Sequence, residues 1–124
     1  MLSISNTARI FVHALPTDMR KSFDGLCGIV KGEFQKDILD GDYFVFFNRV
    51  LDRYKILLWD RDGLTLIYRR LEQGCFQRPP HDGRHGLAIE VDATTLTLIL
   101  SGVDLGSAQR RKRYQASPTR APRA

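Results

Sequence analysis

Between Tyr43 and Phe76 the chain holds three runs of aromatic and branched residues, ending at Phe47, Trp59 and Tyr68, separated by two short polar breaks, Asn48 to Arg53 and Asp60-Arg-Asp-Gly63. Such residues suit a pleated, half-buried surface, and such breaks suit tight hairpins, so the stretch predicts a three-strand meander. Period-two alternation assigns its faces. Tyr43, Val45 and Phe47 oppose Phe44 and Phe46; Leu57 and Trp59 oppose Ile56 and Leu58; Leu64, Leu66 and Tyr68 oppose Thr65 and Ile67. Both faces are apolar, whereas a small antiparallel sheet ordinarily leaves one face wet. This sheet therefore needs cover on both sides, from a first helix, a carboxy-terminal helix, or a second copy of the chain in a homodimer.

The flanking segments supply the covers. Ile10 and Val12 alternate with Phe11 and His13 in a short strand that Pro16 closes. From Met19 the period lengthens: Met19, Phe23, Leu26, Cys27, Val30 and Phe34 make one helical stripe, with Thr17 or Asp18 as the cap. Gly41-Asp42 turns the chain into the meander. Beyond Phe76, two prolines and two glycines between Gln77 and Gly86 predict a loop. A strand follows over Leu87–Val91, and then a helix over Ala93–Ser101 with Asp92 as N-cap and Gly102 as stop, turning Leu96, Ile99 and Leu100 inward. The fold class expected is α+β: a small antiparallel sheet built on the meander, two helices, and one domain over residues 1–105. Residues 106–124 have almost no apolar content and read as a disordered basic tail.

Charge is unevenly placed. The net charge is +5, but residues 1–100 hold 13 Lys plus Arg against 13 Asp plus Glu, while residues 101–124 hold 6 against 1. A neutral body with a basic arm suits contact with a polyanion through the arm. Cys27 and Cys75 form no Cys-x-x-Cys pair, and the amino terminus lacks a basic-then-apolar leader, so a cytoplasmic protein with reduced thiols is expected. No apolar run approaches the roughly 20 residues that cross a bilayer, so no membrane partner is expected.

The meander, together with Pro16-Thr-Asp-Met-Arg-Lys-Ser-Phe-Asp-Gly-Leu26 upstream, resembles the small TnpB-type accessory protein of bacterial insertion sequences of family sixty-six. The likeness runs from about Ile10 to Phe76, with a weaker echo from Val91 to Leu105. It departs from the family's pattern at Val50 and Leu51, where another basic residue is common. The name is shared with a much larger, unrelated RNA-guided nuclease, whose length and carboxylate layout are missing here. The resemblance implies a non-catalytic helper in DNA transposition, working beside a separate transposase that cuts and joins DNA.

Four groups of residues are candidate contact sites. The first is the basic set of the meander: Arg49 and Arg53 at one turn, Lys55 on the strand, Arg61 at the next turn, and Arg69-Arg70 at the exit. Antiparallel pairing predicts Arg53 and Lys55 near Arg69 and Arg70, a cluster suited to phosphate, with Tyr54 and Tyr68 placed to stack on bases. The plainer reading is a solvated edge neutralised by Asp52, Asp60, Asp62 and Glu72. The second is Arg20 and Lys21 in the expected first helical turn, where cations oppose the macrodipole unless an anion binds; pairing of Arg20 with Asp24 is the plainer alternative. The third is Gly25, Gly28 and Gly32, a bare strip that either admits a partner protein such as the transposase or marks a weak helix. The fourth is Arg110, Arg111, Lys112 and Arg113 in the tail, where four engaged charges would give duplex DNA a salt slope of about −3.6.

Enzymatic readings find less support. Cys75, His81 and His85 offer zinc three ligands without a clear fourth. Asp60 and Asp62, with Asp24 or Asp52, could hold magnesium, but Asp-Arg-Asp-Gly is also ordinary turn chemistry. Cys27 sits on the apolar stripe as an inert thiol. No cofactor is implied.

Overall fold

The meander forms as its alternation dictates. In the computed structural model, which describes residues 8–80 and 86–102, strands β2 (Tyr43–Phe47), β3 (Arg53–Asp60) and β4 (Gly63–Arg70) pair antiparallel in sequence. Ahead of them come β1 (Ile10–His13) and helix α1 (Phe23–Ile29); after them come β5 (Ala88–Val91) and helix α2 (Ala93–Ser101). The five strands lie in the order β4-β3-β2-β1-β5. The fold is α+β, with one departure from an all-antiparallel sheet: β1 runs parallel to β2, Ile10 facing Tyr43 and Val12 facing Val45. A parallel neighbour needs a crossover, and the connection between the two strands provides it by carrying α1.

Both sheet faces are covered, one helix each. Ile10, Val12, Tyr43, Val45, Phe47, Tyr54 and Ile56 pack with Phe76, Ile89 and the α2 residues Leu96 and Ile99. Phe11, Phe44, Phe46 and Leu57 face Leu26, Ile29, Val30 and Phe34. Phe34 is the hub of the second layer, its ring 5.3 Å from both His13 and Phe44 and 5.7 Å from Phe46. Burying a side chain of this size is worth about 1.5–3 kcal/mol, so twelve fully buried apolar residues across β1, β2, β3, both helices and the turn after α1 dominate the fold's stability.

Helix α1 is shorter than its sequence stripe predicts. It starts at Phe23 with Ser22 as cap, and Met19 lies outside it. The cause is Lys55, whose Nζ donates to the carbonyls of Met19 at 2.7 Å and Lys21 at 2.6 Å. Those are the carbonyls that would accept from the amides of Phe23 and Gly25 in a longer helix; the lysine holds them in the preceding loop, and the Ser22 carbonyl accepts from Leu26 at 2.9 Å at the helix start. After Ile29 the chain widens to a π turn, Val30–Phe34, closed by Gln35 at φ 57°. The extra residue per turn brings Val30 and Phe34 inward beside Leu26 and Ile29, while Phe23 is left 41% exposed.

Helix α2 follows its local chemistry. Asp92 accepts from the Thr95 amide at 2.7 Å, and Gly102 ends the helix at φ 85°. The hydroxyls of Thr97 and Ser101 donate back to the carbonyls one turn earlier, which absorbs two polar groups within the helix. Among the described residues no helix is long and apolar enough to cross a membrane.

Candidate nucleic-acid interface

One end of the sheet gathers the basic residues. There β2 ends, β3 begins and β4 ends, and the loop before α1 crosses over, its Thr17 amide donating to the Phe47 carbonyl at 2.8 Å. The turn from β2 to β3 is organised by Asn48. Its Oδ1 accepts from the amides of Asp52 and Arg53, and its Nδ2 donates to Asp52 Oδ1 at 2.6 Å. Leu51 takes φ 61° in this turn and its carbonyl accepts from Phe76, which ties the chain beyond β4 to the same end. Arg49 is exposed on the turn.

Register then sorts the cations. Arg53 pairs directly with Arg70, Tyr54 with Arg69, and Lys55 with Tyr68. Cross-strand partners share a face, so Arg53, Lys55, Tyr68 and Arg70 stand on the α1 side and Arg69 stands on the α2 side. Like charges directly opposite repel, and two carboxylates offset this pair: Glu72 lies 3.1 Å from Arg70, and Asp52 lies 4.0 Å from Arg53. All four side chains are a third or more exposed, and ion pairs in that setting are worth about 0–1 kcal/mol. Arg53 also donates to the Tyr68 hydroxyl at 3.3 Å, and that contact holds its guanidinium above its usual pKa. Among the described residues neither Arg49 nor Arg69 has an ion-pair partner.

Three residues stand differently from the sequence expectation. Lys55 is 5% exposed, its ammonium held by two carbonyls and 4.6 Å from the centre of the Tyr68 ring, so it braces the sheet against the loop and has no face open to a phosphate. Tyr54 is buried in an aromatic triad with Phe47 and Phe76, at centroid distances of 6.3 and 5.2 Å, and cannot stack on a base. Arg61 sits at the far end of β3, about 23 Å away at 3.3 Å per residue, in a two-residue loop with φ 61°.

The second candidate group joins the first. Arg20 and Lys21 precede the helix instead of occupying its first turn, so the macrodipole argument does not apply to them. The partner of Arg20 is Asp18, at 2.7 Å, and not Asp24. The Arg20 side chain and amide together hold the Asp18 carboxyl down to about 2. Because Lys55 fastens Met19 and Lys21 to β3 beside Tyr68, Arg20 and Lys21 flank the same face as Arg53 and Arg70. Sequence spacing gave no sign of this union. The available signal was a lysine, Lys55, set among core residues in the middle of a strand.

The glycine strip faces outward. A Cβ at Gly28 or Gly32 would meet open space, and one at Gly25 would touch the Lys21 side chain at 3.3 Å. Gly32 falls within the π turn. Cys27 is half-buried, and burial, with Asp24 adding to it, pushes its thiol above the usual range. Among the described residues no group of three or more His, Cys, Asp or Glu side chains is placed to hold a metal ion. His81, His85 and the tail residues Arg110, Arg111, Lys112 and Arg113 lie outside the described residues.

Comparison with known proteins places the chain. A family model described as IS66 Orf2 like protein matches residues 8–110. The chain is 32% identical over 112 residues to the uncharacterized protein y4jC of Sinorhizobium fredii (strain NBRC 101917 / NGR234), covering 90% of this chain and 92% of the relative. It is 33% identical over 104 residues to the uncharacterized protein y4hO of the same strain, covering 84% and 88%. No solved structure matches it. The matched span takes in the sheet, both helices and the basic end. The chain therefore belongs to the IS66 Orf2-like family, whose members are associated with transposition of insertion sequences.

Proposed function

We propose that the protein is a non-catalytic accessory factor in transposition that binds nucleic acid through the basic end of its sheet, with the tail as a second, sequence-blind contact. The observation that supports this most is the pairing of Arg53 directly opposite Arg70 in the β3–β4 ladder, with Arg49, Arg69, Arg20 and Lys21 around the same end. A phosphate placed between Arg53 and Arg70 removes a like-charge repulsion that exposed carboxylates only partly relieve. The test is DNA binding by the full chain with Arg53→Glu and Arg70→Glu together. Affinity at moderate salt falls at least ten-fold on this reading, and an unchanged affinity refutes it.

A second reading is docking on the element's transposase without DNA contact, favoured by the outward strip of Gly28 and Gly32, where a partner can approach the backbone closely. A pull-down with the transposase, with and without the element's terminal DNA, separates the two. Gly28→Trp abolishes capture under the docking reading, whereas the arginine reversals abolish it under the first only when capture depends on DNA.

A further inference from the structure

Tyr68 is an exposed aromatic at the centre of the cationic face. Its residue is 49% accessible, whereas its stacking counterpart in the sequence, Tyr54, is 5% accessible. It is also held from two sides. Lys55 Nζ lies 4.6 Å from the ring centre, and Arg53 Nη1 lies 3.3 Å from the hydroxyl. An aromatic ring fixed in this way loses little rotamer freedom when another ring stacks on it. Its cross-strand and same-face neighbours, Arg53 and Arg70, put guanidinium groups where the phosphates flanking a stacked base would pass. In an intact duplex the faces of the bases are already stacked on one another, so only an unpaired nucleotide offers a face to such a ring.

We propose that Tyr68 is a stacking platform for an unpaired base, and that the ligand of this surface is single-stranded or locally opened nucleic acid, with Arg53 and Arg70 on the adjoining phosphates. The inference rests on the nucleic-acid reading above and adds the form of the strand and the residue that recognises it. Glu72 and Asp52, the carboxylates now beside Arg70 and Arg53, yield to phosphate because both pairs are solvent-exposed.

The experiment measures binding of the full chain to a 20-nucleotide oligothymidine and to a mixed-sequence 20-base-pair duplex at one salt concentration, by fluorescence anisotropy. Wild type, Tyr68→Phe and Tyr68→Leu are compared. The expected result is tighter binding to the single strand, a loss of between about five-fold and about a hundred-fold for Tyr68→Leu on that strand alone, and retention within about three-fold by Tyr68→Phe, which keeps the ring. Circular dichroism checks that Tyr68→Leu is folded, and Tyr68→Phe supplies the contrast if it is not. Single-strand binding that is indifferent to Tyr68→Leu, or duplex binding as tight as single-strand binding, overturns this inference and leaves the basic-surface reading intact. Binding to neither ligand overturns both.

Discussion

Lys55 shows how one side chain changes what its neighbours do. A lysine among core residues is tolerated because two carbonyls and the Tyr68 ring replace its hydration, and the cost is a helix that starts late. Lys55→Met leaves both carbonyls unsatisfied, and loss of about 1–3 kcal/mol is expected, read from the urea midpoint. Arg61 is the opposite case: φ 61° is a left-handed conformation that an L side chain adopts at a cost, so Arg61→Gly raises stability by about 1 kcal/mol, a higher melting temperature being the readout. Asp18 gives a pH signature. Its folded pKa is depressed to about 2 by Arg20, so its contribution is present above the ordinary carboxylate value and fades as pH falls towards 2. Asp18→Asn lowers stability slightly at neutral pH, and its difference from the wild type closes between about pH 4 and pH 2, as followed by circular dichroism.

Elements differ in how far their own residues specify them. Helix α2 is written locally: Asp92, Gly102 and the Leu96–Ile99 spacing fix its start, its stop and its buried side, so both ends were legible in the sequence. Asp92→Ala should cost about 1 kcal/mol, measured by thermal unfolding. The meander was legible for the same reason, since alternation and hairpin length fix register without help from elsewhere. Helix α1 was not. Its start depends on Lys55, a residue more than 30 positions away, and its π turn on a fit between Phe34 and the rings of β1 and β2, so Met19 packs on that layer from outside the helix while Phe23, within it, stays exposed. Gly28 has open space where a Cβ would go, so Gly28→Ala raises stability by about 0.5–1 kcal/mol in the free protein.

At the scale of the whole molecule, the long-range placement of β1 between β2 and β5 divides the protein into two apolar layers and brings the basic loops to one end. That union of Arg20 and Lys21 with Arg53 and Arg70 could not be read from spacing, because it depends on a contact between a loop and a strand. It leaves a cationic face on a body whose described and undescribed residues up to position 100 are together charge-balanced, with 13 of each sign. The salt dependence of DNA binding is the most direct measure of whether that face grips phosphate. For the full chain against Arg53→Gln with Arg70→Gln, the slope of log affinity on log salt should become shallower by about 1.4 on a single strand and about 1.8 on duplex DNA, with the remainder carried by the other cations of that end and by the tail. Identical slopes for the two proteins would contradict the account, because the arginines of the sheet would then be spectators.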